Sequence, residues 1–159
     1  MGEQVATQYL IQRARPRDLP GIVALRERNL MRYQERGPLP LSYDHDTLWR
    51  KCADALTSPI ARIEVVLDGE SVIGCLFLRL AESPLNMMRL IAIQEVFVVE
   101  PEYRGHGIGQ ELLVRGEQWT REAGAEALAL VCHTGEGLEE WFAKRGYPTH
   151  ETFCMKRME

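Results

Sequence analysis

The stretch QEVFVVEPEYRGHGIGQELLVRGEQWTREAG, Gln94 to Gly124, constrains the fold of this chain more than any other. It reads as an apolar strand at Val96 to Val99, a glycine-rich loop at Arg104 to Gly109, and an amphipathic helix closed by Gly124. Within the helix, Ile108, Leu112, Gly116, Trp119 and Ala123 recur at steps of three or four and predict one buried stripe. A glycine in a helix interior costs about 1 kcal/mol against alanine, so Gly116 on that stripe predicts close approach to a sheet. The loop's chemistry is anion binding. The first N–H groups of a helix lack intrahelical partners and carry the positive end of the macrodipole. Gly105, Gly107 and Gly109 remove the Cβ atoms that would hold a diphosphate away from those amides, and Arg104 adds a permanent charge.

Two other glycine loops fail on residues. A Walker loop ends in Gly-Lys-Ser/Thr, and nothing of that kind follows Gly109. A dinucleotide fingerprint starting at Gly105 would put its third glycine at Gln110, and the next apolar run, Leu128 to Cys132, ends without an acidic residue.

The loop Arg104-Gly105-His106-Gly107-Ile108-Gly109, preceded by Pro101-Glu102-Tyr103, resembles motif A of the GCN5-related N-acetyltransferases (GNAT), Gln/Arg-x-x-Gly-x-Gly/Ala at a strand-to-helix junction. The resemblance implies a mixed, mostly antiparallel twisted sheet of six to seven strands, an α/β (α+β) fold with helices on both faces, splayed at the glycine-loop strand. It implies acetyl-CoA as donor and a primary amine, on a small molecule or a peptide, as acceptor. The diphosphate would lie on Arg104 to Gly109, with His106 toward solvent or phosphate and Ile108 contributing from the helix start. Phe97, Val98 and Val99 occupy the positions that pair with the pantetheine arm. Homodimers are common in the family.

The rest of the chain supplies matching elements. Tyr9 to Ala14 alternates as a strand, and Pro16-Arg17-Asp18 opens a helix with Leu19, Ile22, Leu25 and Leu30 on its apolar side. Gly37-Pro38-Leu39-Pro40 breaks the chain, and a helix from about Asp44 to Leu56 follows, capped by Asp44 or Asp46. Arg62 to Leu67 and Val72 to Leu80 flank Asp68-Gly69-Glu70-Ser71, a hairpin signal. Met88 to Val99 is the next strand, with Glu95, Phe97 and Val99 expected on one face and Gln94, Val96 and Val98 on the other. Ala127 to Cys132 and Thr152 to Met158 read as strands around a helix at Glu136 to Arg145.

Attack of an amine on a thioester requires a neutral amine, so a proton acceptor is expected. Glu95 is the candidate: a carboxylate in an apolar strand would have its pKa raised by desolvation, unless it points to solvent or pairs with a basic neighbour. The family's asparagine, alanine and tyrosine positions after the next strand fall here on Gly135, Leu138 and Phe142. Phe142 has no hydroxyl with which to protonate a departing thiolate. His133, Cys132 or Tyr147 would have to act instead, or no acid is needed, since a thiol of pKa about 8.5 leaves unaided. In the family the region Met31 to Asp46 borders the acceptor, which makes Tyr33, Tyr43, Asp44, His45 and Asp46 candidates to meet it, or simply a solvated loop with helix caps. The departures from the motif leave a non-catalytic coenzyme A-binding or regulatory module as the alternative.

Composition sets bounds. A chain of 159 residues with 45% hydrophobic content suits one domain, 1–159. A net charge of −4 without a basic run argues against a nucleic-acid partner. No apolar stretch approaches the roughly 18 residues of a membrane span, and Met1 to Gln8 lacks a signal design, so a cytoplasmic protein is expected. Cys52, Cys75, Cys132 and Cys154 form no Cys-x-x-Cys pair, so neither a metal nor a redox centre is expected.

Overall fold

The computed structural model describes residues 8–36, 44–82, 90–132 and 137–149. Five strands and four α-helices follow one another as β1 (Leu10–Arg13), α1 (Leu19–Arg36), α2 (His45–Thr57), β2 (Ala61–Asp68), β3 (Ser71–Glu82), β4 (Leu90–Val99), α3 (Ile108–Glu122), β5 (Ala127–Ala129) and α4 (Leu138–Ala143). Short 3-10 turns at Pro16–Asp18 and Pro101–Tyr103 lead into α1 and toward α3. The sheet runs in chain order from β1 to β5, antiparallel throughout except that β5 lies parallel to β4.

Five strands among the described residues correct the expectation of six to seven. The expected strand at Thr152 to Met158 lies outside the described residues, as do the Gly37 to Pro40 break, Tyr43 and His133. β5 is also shorter than the Ala127 to Cys132 run, because its pairing with β4 stops at Ile93 and Ala129.

Each element has a local cause. Asp44 caps α2, accepting from Thr47 N at 2.9 Å, and Leu48, Cys52 and Ala55 are buried beneath the helix. Asp68 pairs with Ser71 around a two-residue turn in which Gly69 takes φ +60°, the left-handed conformation such hairpins need. On α3, Ile108, Leu112, Leu113, Gly116 and Thr120 are buried, and Gly124 (φ +76°) ends the helix with its N–H on the Arg121 carbonyl at 3.0 Å.

The sheet separates two apolar layers. One face carries Ile63, Val65, Cys75, Phe77, Val96 and Val98 against Ile22, Val23 and Leu25 of α1 and Leu48 and Cys52 of α2. The opposite face packs Val66, Ile73, Leu76 and Leu78 against Ile108 and Leu112 of α3. Cys52 and Cys75 are fully buried in the first layer and serve as small apolar fillers. Burial pushes the Cys75 thiol up to about 12.

An irregularity in β4 sets the direction of its side chains. Phe77 pairs with Val96 but Leu78 pairs with Gln94, leaving Glu95 as the extra residue of a β-bulge. A bulge interrupts the alternation of faces. Glu95 therefore joins Val96 and Val98 on the α1/α2 side, where it meets Lys51 of α2 and Arg79 of β3. Phe97 and Val99 pack on the α3 side. This corrects the expected alternation, which put Glu95 with Phe97 and Val99.

Candidate active site

β4 ends at Val99, and the chain then turns through Glu100 and Pro101–Tyr103 into the glycine loop. Gly105 (φ +82°) and Gly107 (φ +80°) both hold the left-handed backbone that residues with a Cβ avoid. A Cβ built at either would meet nothing of the protein within 4 Å, so the space above the loop is open. Gly107 is also the N-cap of α3. The first helical bond runs from Glu111 N to the Gly107 carbonyl at 3.1 Å, leaving the N–H groups of Ile108, Gly109 and Gln110 without intrahelical partners. Exposed main-chain donors, open space and a helix N-terminus fit a diphosphate.

The side chains of the loop are placed by their own chemistry. Arg104 Nε donates to the Val99 carbonyl at 3.0 Å, which folds the guanidinium back over the end of β4. His106 Nδ1 lies 3.2 Å from the Tyr103 carbonyl, and its ring is tied to the loop's own backbone. The Ile108 side chain is 2% exposed and belongs to the core, so this residue offers a ligand its amide alone. Gly109 faces the aromatic side of the loop: a Cβ there would meet Phe97 Cζ at 3.5 Å and Trp141 at 3.8 Å, ordinary van der Waals contact, so packing alone does not demand glycine. The rings of Phe97, Trp141 and Phe142 form one cluster, with centroids 5.4 to 6.0 Å apart.

The loop is strapped on two sides. The Tyr103 hydroxyl donates to Asp68 Oδ2 at 2.9 Å, joining the turn before the loop to the β2–β3 hairpin. The Glu100 carboxylate, 5% exposed, takes Arg28 Nε at 2.7 Å on one oxygen and Arg32 on the other. Burial pushes Glu100 up, but the two guanidinium hydrogen bonds outweigh it and hold the carboxyl below its ordinary 4.5. A cavity of about 260 Å³ opens beside this clamp, lined by Arg28, Arg32, Ser71, Glu102 and Tyr103 among others.

The gap expected beside the loop strand is present, but it starts earlier than the Val99-Glu100-Pro101 end. The last paired residue of β4 toward β5 is Ile93, and the bulge follows at Glu95. Gln94 bridges the start of the separation, its Oε1 accepting from Val131 N at 3.1 Å. From Glu95 to Val99 the β4 edge facing away from β3 has no strand partner among the described residues. The side chains of Phe97, Val98 and Val99 are committed to the two apolar layers, which leaves their main chain for a ligand.

The titratable groups depart from expectation. Desolvation does push the Glu95 carboxyl up, but hydrogen bonds from Lys51 and Arg79 overcome it, and the pKa lies below the ordinary 4.5 rather than above. Arg79 Nε stands 3.1 Å from Glu95 Oε1, and Lys51 holds the other oxygen. Tyr147 does not reach back: its hydroxyl donates to Glu117 Oε1 at 2.7 Å, and burial with that bond pushes its pKa up. Phe142 is 4% exposed within the aromatic cluster. Asp44 is spent as a helix cap, while His45, 2.5 Å from Glu27 and raised in pKa by that contact, stands beside Trp49.

Sequence reading missed Arg28, Arg32, Lys51 and Arg79. The signal for one pair was available. Arg28 and Arg32 are four apart on α1, and Glu100 directly follows the apolar run of β4.

No curated protein matches the chain in sequence. Solved structures share the fold. An acetyltransferase of Trypanosoma brucei is 20% identical, with 94% of this chain and 99% of that one covered at a TM-score of 0.71. A predicted acetyltransferase of Clostridium acetobutylicum, solved with acetyl-CoA, is 17% identical, with 94% and 96% covered at 0.75. AAC(6')-Iy, solved with a bisubstrate analogue that joins coenzyme A to an acetylated neamine, is 14% identical, with 95% and 98% covered at 0.73. The profile of the acetyltransferase (GNAT) family matches residues 22–147, a span holding the loop, both straps and the splayed strand, and the chain belongs to that family.

Proposed function

We propose that this chain moves an acetyl group from acetyl-CoA to a primary amine by direct attack in a ternary complex. The observation that carries the reading is the loop from Arg104 to Gly109: two left-handed glycines, open space above them and free amides at the start of α3. The main chain of this loop, with Arg104, would hold the diphosphate, and the unpaired β4 edge from Glu95 to Val99 would take the amide-bearing arm as a neighbouring strand does. Two structural neighbours are solved with acetyl-CoA or a coenzyme A conjugate, which supports the donor.

When bound, acetyl-CoA supplies an acetyl group activated as a thioester. The bulge at Glu95 frees main-chain groups of β4 from the β3 ladder, and N–H groups between Glu95 and Val99 would polarise the carbonyl under attack. The acceptor nitrogen bonds the acetyl carbon, the carbon–sulfur bond breaks, and the proton shed by nitrogen reaches the thiolate through water. No side-chain acid is required of Phe142, because a thiol of pKa about 8.5 is a competent leaving group. Glu95, doubly ion-paired and ionised, acts by positioning Lys51 and Arg79 and not as a tuned base. His133, outside the described residues, remains a candidate acid on the sequence alone. Positioning of two reactants supplies most of the acceleration.

The test is release of coenzyme A thiol from acetyl-CoA across a panel of primary amines, with the acetamide product identified by mass spectrometry. Amine-dependent release with matching product supports acetyl transfer. Coenzyme A binding without release across the panel favours the second reading, a coenzyme A-binding module, for which Phe142 at the family's tyrosine position and the Tyr147–Glu117 bond speak.

A further inference from the structure

A second arginine stands at the start of α3, and it comes from the far end of the chain. The chain leaves α4 through Gly146 (φ +87°), and Arg145 just before it donates its N–H to the Phe142 carbonyl at 2.9 Å. The segment from Arg145 to Tyr147 is fastened to α3 at two points. Arg145 Nε donates to Gln110 Oε1, and the Tyr147 hydroxyl donates to Glu117 Oε1 at 2.7 Å. Gln110 and Glu117 are about two turns apart on one side of α3. Gln110 is the third residue of that helix, and its own N–H is one of the three without an intrahelical partner. The Arg145 guanidinium also lies over the Trp141 ring, 3.6 Å from its centroid, and Nη1 donates to the Trp141 carbonyl at 3.0 Å. Trp141 in turn packs against Phe97 of β4. Stack and hydrogen bonds together fix this cation beside the anion-binding end of α3.

Charge decides what it can do there. Both hydrogen-bond partners of Arg145 are neutral oxygens, and it pairs with no carboxylate among the described residues. Glu111 and Glu117 of α3 pair with Arg115 and Arg121 instead. A diphosphate carries more than one negative charge, whereas the loop supplies neutral amides and Arg104, whose Nε is turned back to the Val99 carbonyl. The bond to Gln110 has an effect of its own. A guanidinium can only donate, so the Gln110 oxygen faces Arg145, and its Nε2 group makes no hydrogen bond among the described residues. The open end of this exposed side chain is thus a donor, as an anion requires.

We propose that Arg145 and Gln110 are binding residues for the diphosphate of coenzyme A, the arginine supplying charge from its stack on Trp141 and holding the Gln110 amide so that Nε2 donates to the same group. The assignment rests on the acetyltransferase reading above. It adds to that reading two side chains outside the glycine loop, one of them from the turn after α4.

The experiment titrates coenzyme A and dephospho-coenzyme A, which keeps the diphosphate and lacks the 3′-phosphate, into the native chain and three variants by calorimetry at two salt concentrations. Arg145→Met should weaken both ligands equally, by at least about tenfold, and flatten the salt dependence of binding. Arg145→Lys should keep most of the affinity. Gln110→Glu sets a carboxylate at the exposed position, where it pairs with Arg145 and repels the ligand, and should weaken both ligands by about tenfold with denaturant unfolding unchanged. That variant keeps the test open if Arg145→Met fails to fold, since Arg145 also caps α4. At saturating acetyl-CoA, kcat should stay the same in every folded variant. Native affinity in Arg145→Met or in Gln110→Glu leaves Arg145 a helix cap alone and overturns the assignment. A loss for coenzyme A that is absent for dephospho-coenzyme A gives the arginine to the 3′-phosphate and overturns it too. In both cases the native chain still binds coenzyme A and this proposal fails alone; if the native chain binds neither ligand, the acetyltransferase reading fails with it.

Discussion

Arg28 Nε lies 2.7 Å from Glu100 Oε1, so a helix from the first quarter of the chain is fastened to the residue that opens the glycine loop. The carboxylate is buried and its folded pKa lies below its ordinary value. A depressed carboxylate pKa stabilises the fold fully above the unfolded value, near 4.3, and that contribution is lost as pH falls through the lower folded value. Stability of the native chain should therefore fall steeply on acidification below about pH 4.3. Glu100→Gln should lose about 2 kcal/mol at pH 7, since it leaves two guanidiniums short of a counter-charge. The same variant should lose less on acidification. Urea unfolding at a series of pH values measures both.

The turn ahead of the loop hangs on one side-chain hydroxyl. Tyr103→Phe removes the bond to Asp68 while keeping the ring against Tyr9, 5.6 Å away. A loop held less firmly should bind its ligand less well by about 1 kcal/mol, a rise of about fivefold in KM for acetyl-CoA with kcat unchanged. A fall in kcat at unchanged KM would place Tyr103 in the chemistry instead.

Glu95 gives a prediction about pH. Because its pKa is held down by Lys51 and Arg79, it is ionised across the neutral range, and the rising limb of the rate profile should follow the free-amine fraction of the acceptor. Glu95→Gln should lower kcat/KM by about tenfold by releasing the two cations, without moving that limb. A limb that vanishes or shifts in the variant would make Glu95 the proton acceptor after all.

Gly116 tests the packing of α3. A Cβ there would stand 2.6 Å from Leu76 Cδ2 and 3.2 Å from Leu78 Cδ1, both leucines being 1% exposed. Overpacking costs about 1 to 3 kcal/mol, and alanine returns about 1 kcal/mol of helix propensity. Gly116→Ala should thus unfold about 1 kcal/mol more easily, as read by denaturant titration.

The parts that were legible in the sequence are those with local causes. The loop, the α3 stripe with Gly116, the Gly124 stop, the Asp44 cap and the Gly69 hairpin each depend on residues within a turn or two of one another. The orientation of Glu95 was not legible, because a bulge is set by the pairing of β3 with β4 and not by the alternation of β4 alone. The same holds for its pKa. Desolvation could be foreseen from the apolar strand, whereas Lys51 and Arg79 arrive from another helix and another strand. The clamp on Glu100 likewise joins residues about 70 apart in sequence, a separation that periodicity does not see.

The central claim is that main-chain amides at the loop grip a diphosphate, and calorimetric titration of coenzyme A into the native chain and into Gly107→Val tests it most directly. Valine resists the φ of +80° that Gly107 adopts and fills the open space above the loop. Saturable binding to the native chain is expected, with at least about a tenfold loss in the folded variant. Equal affinity in the two proteins, or no heat of binding from the native chain, would contradict it.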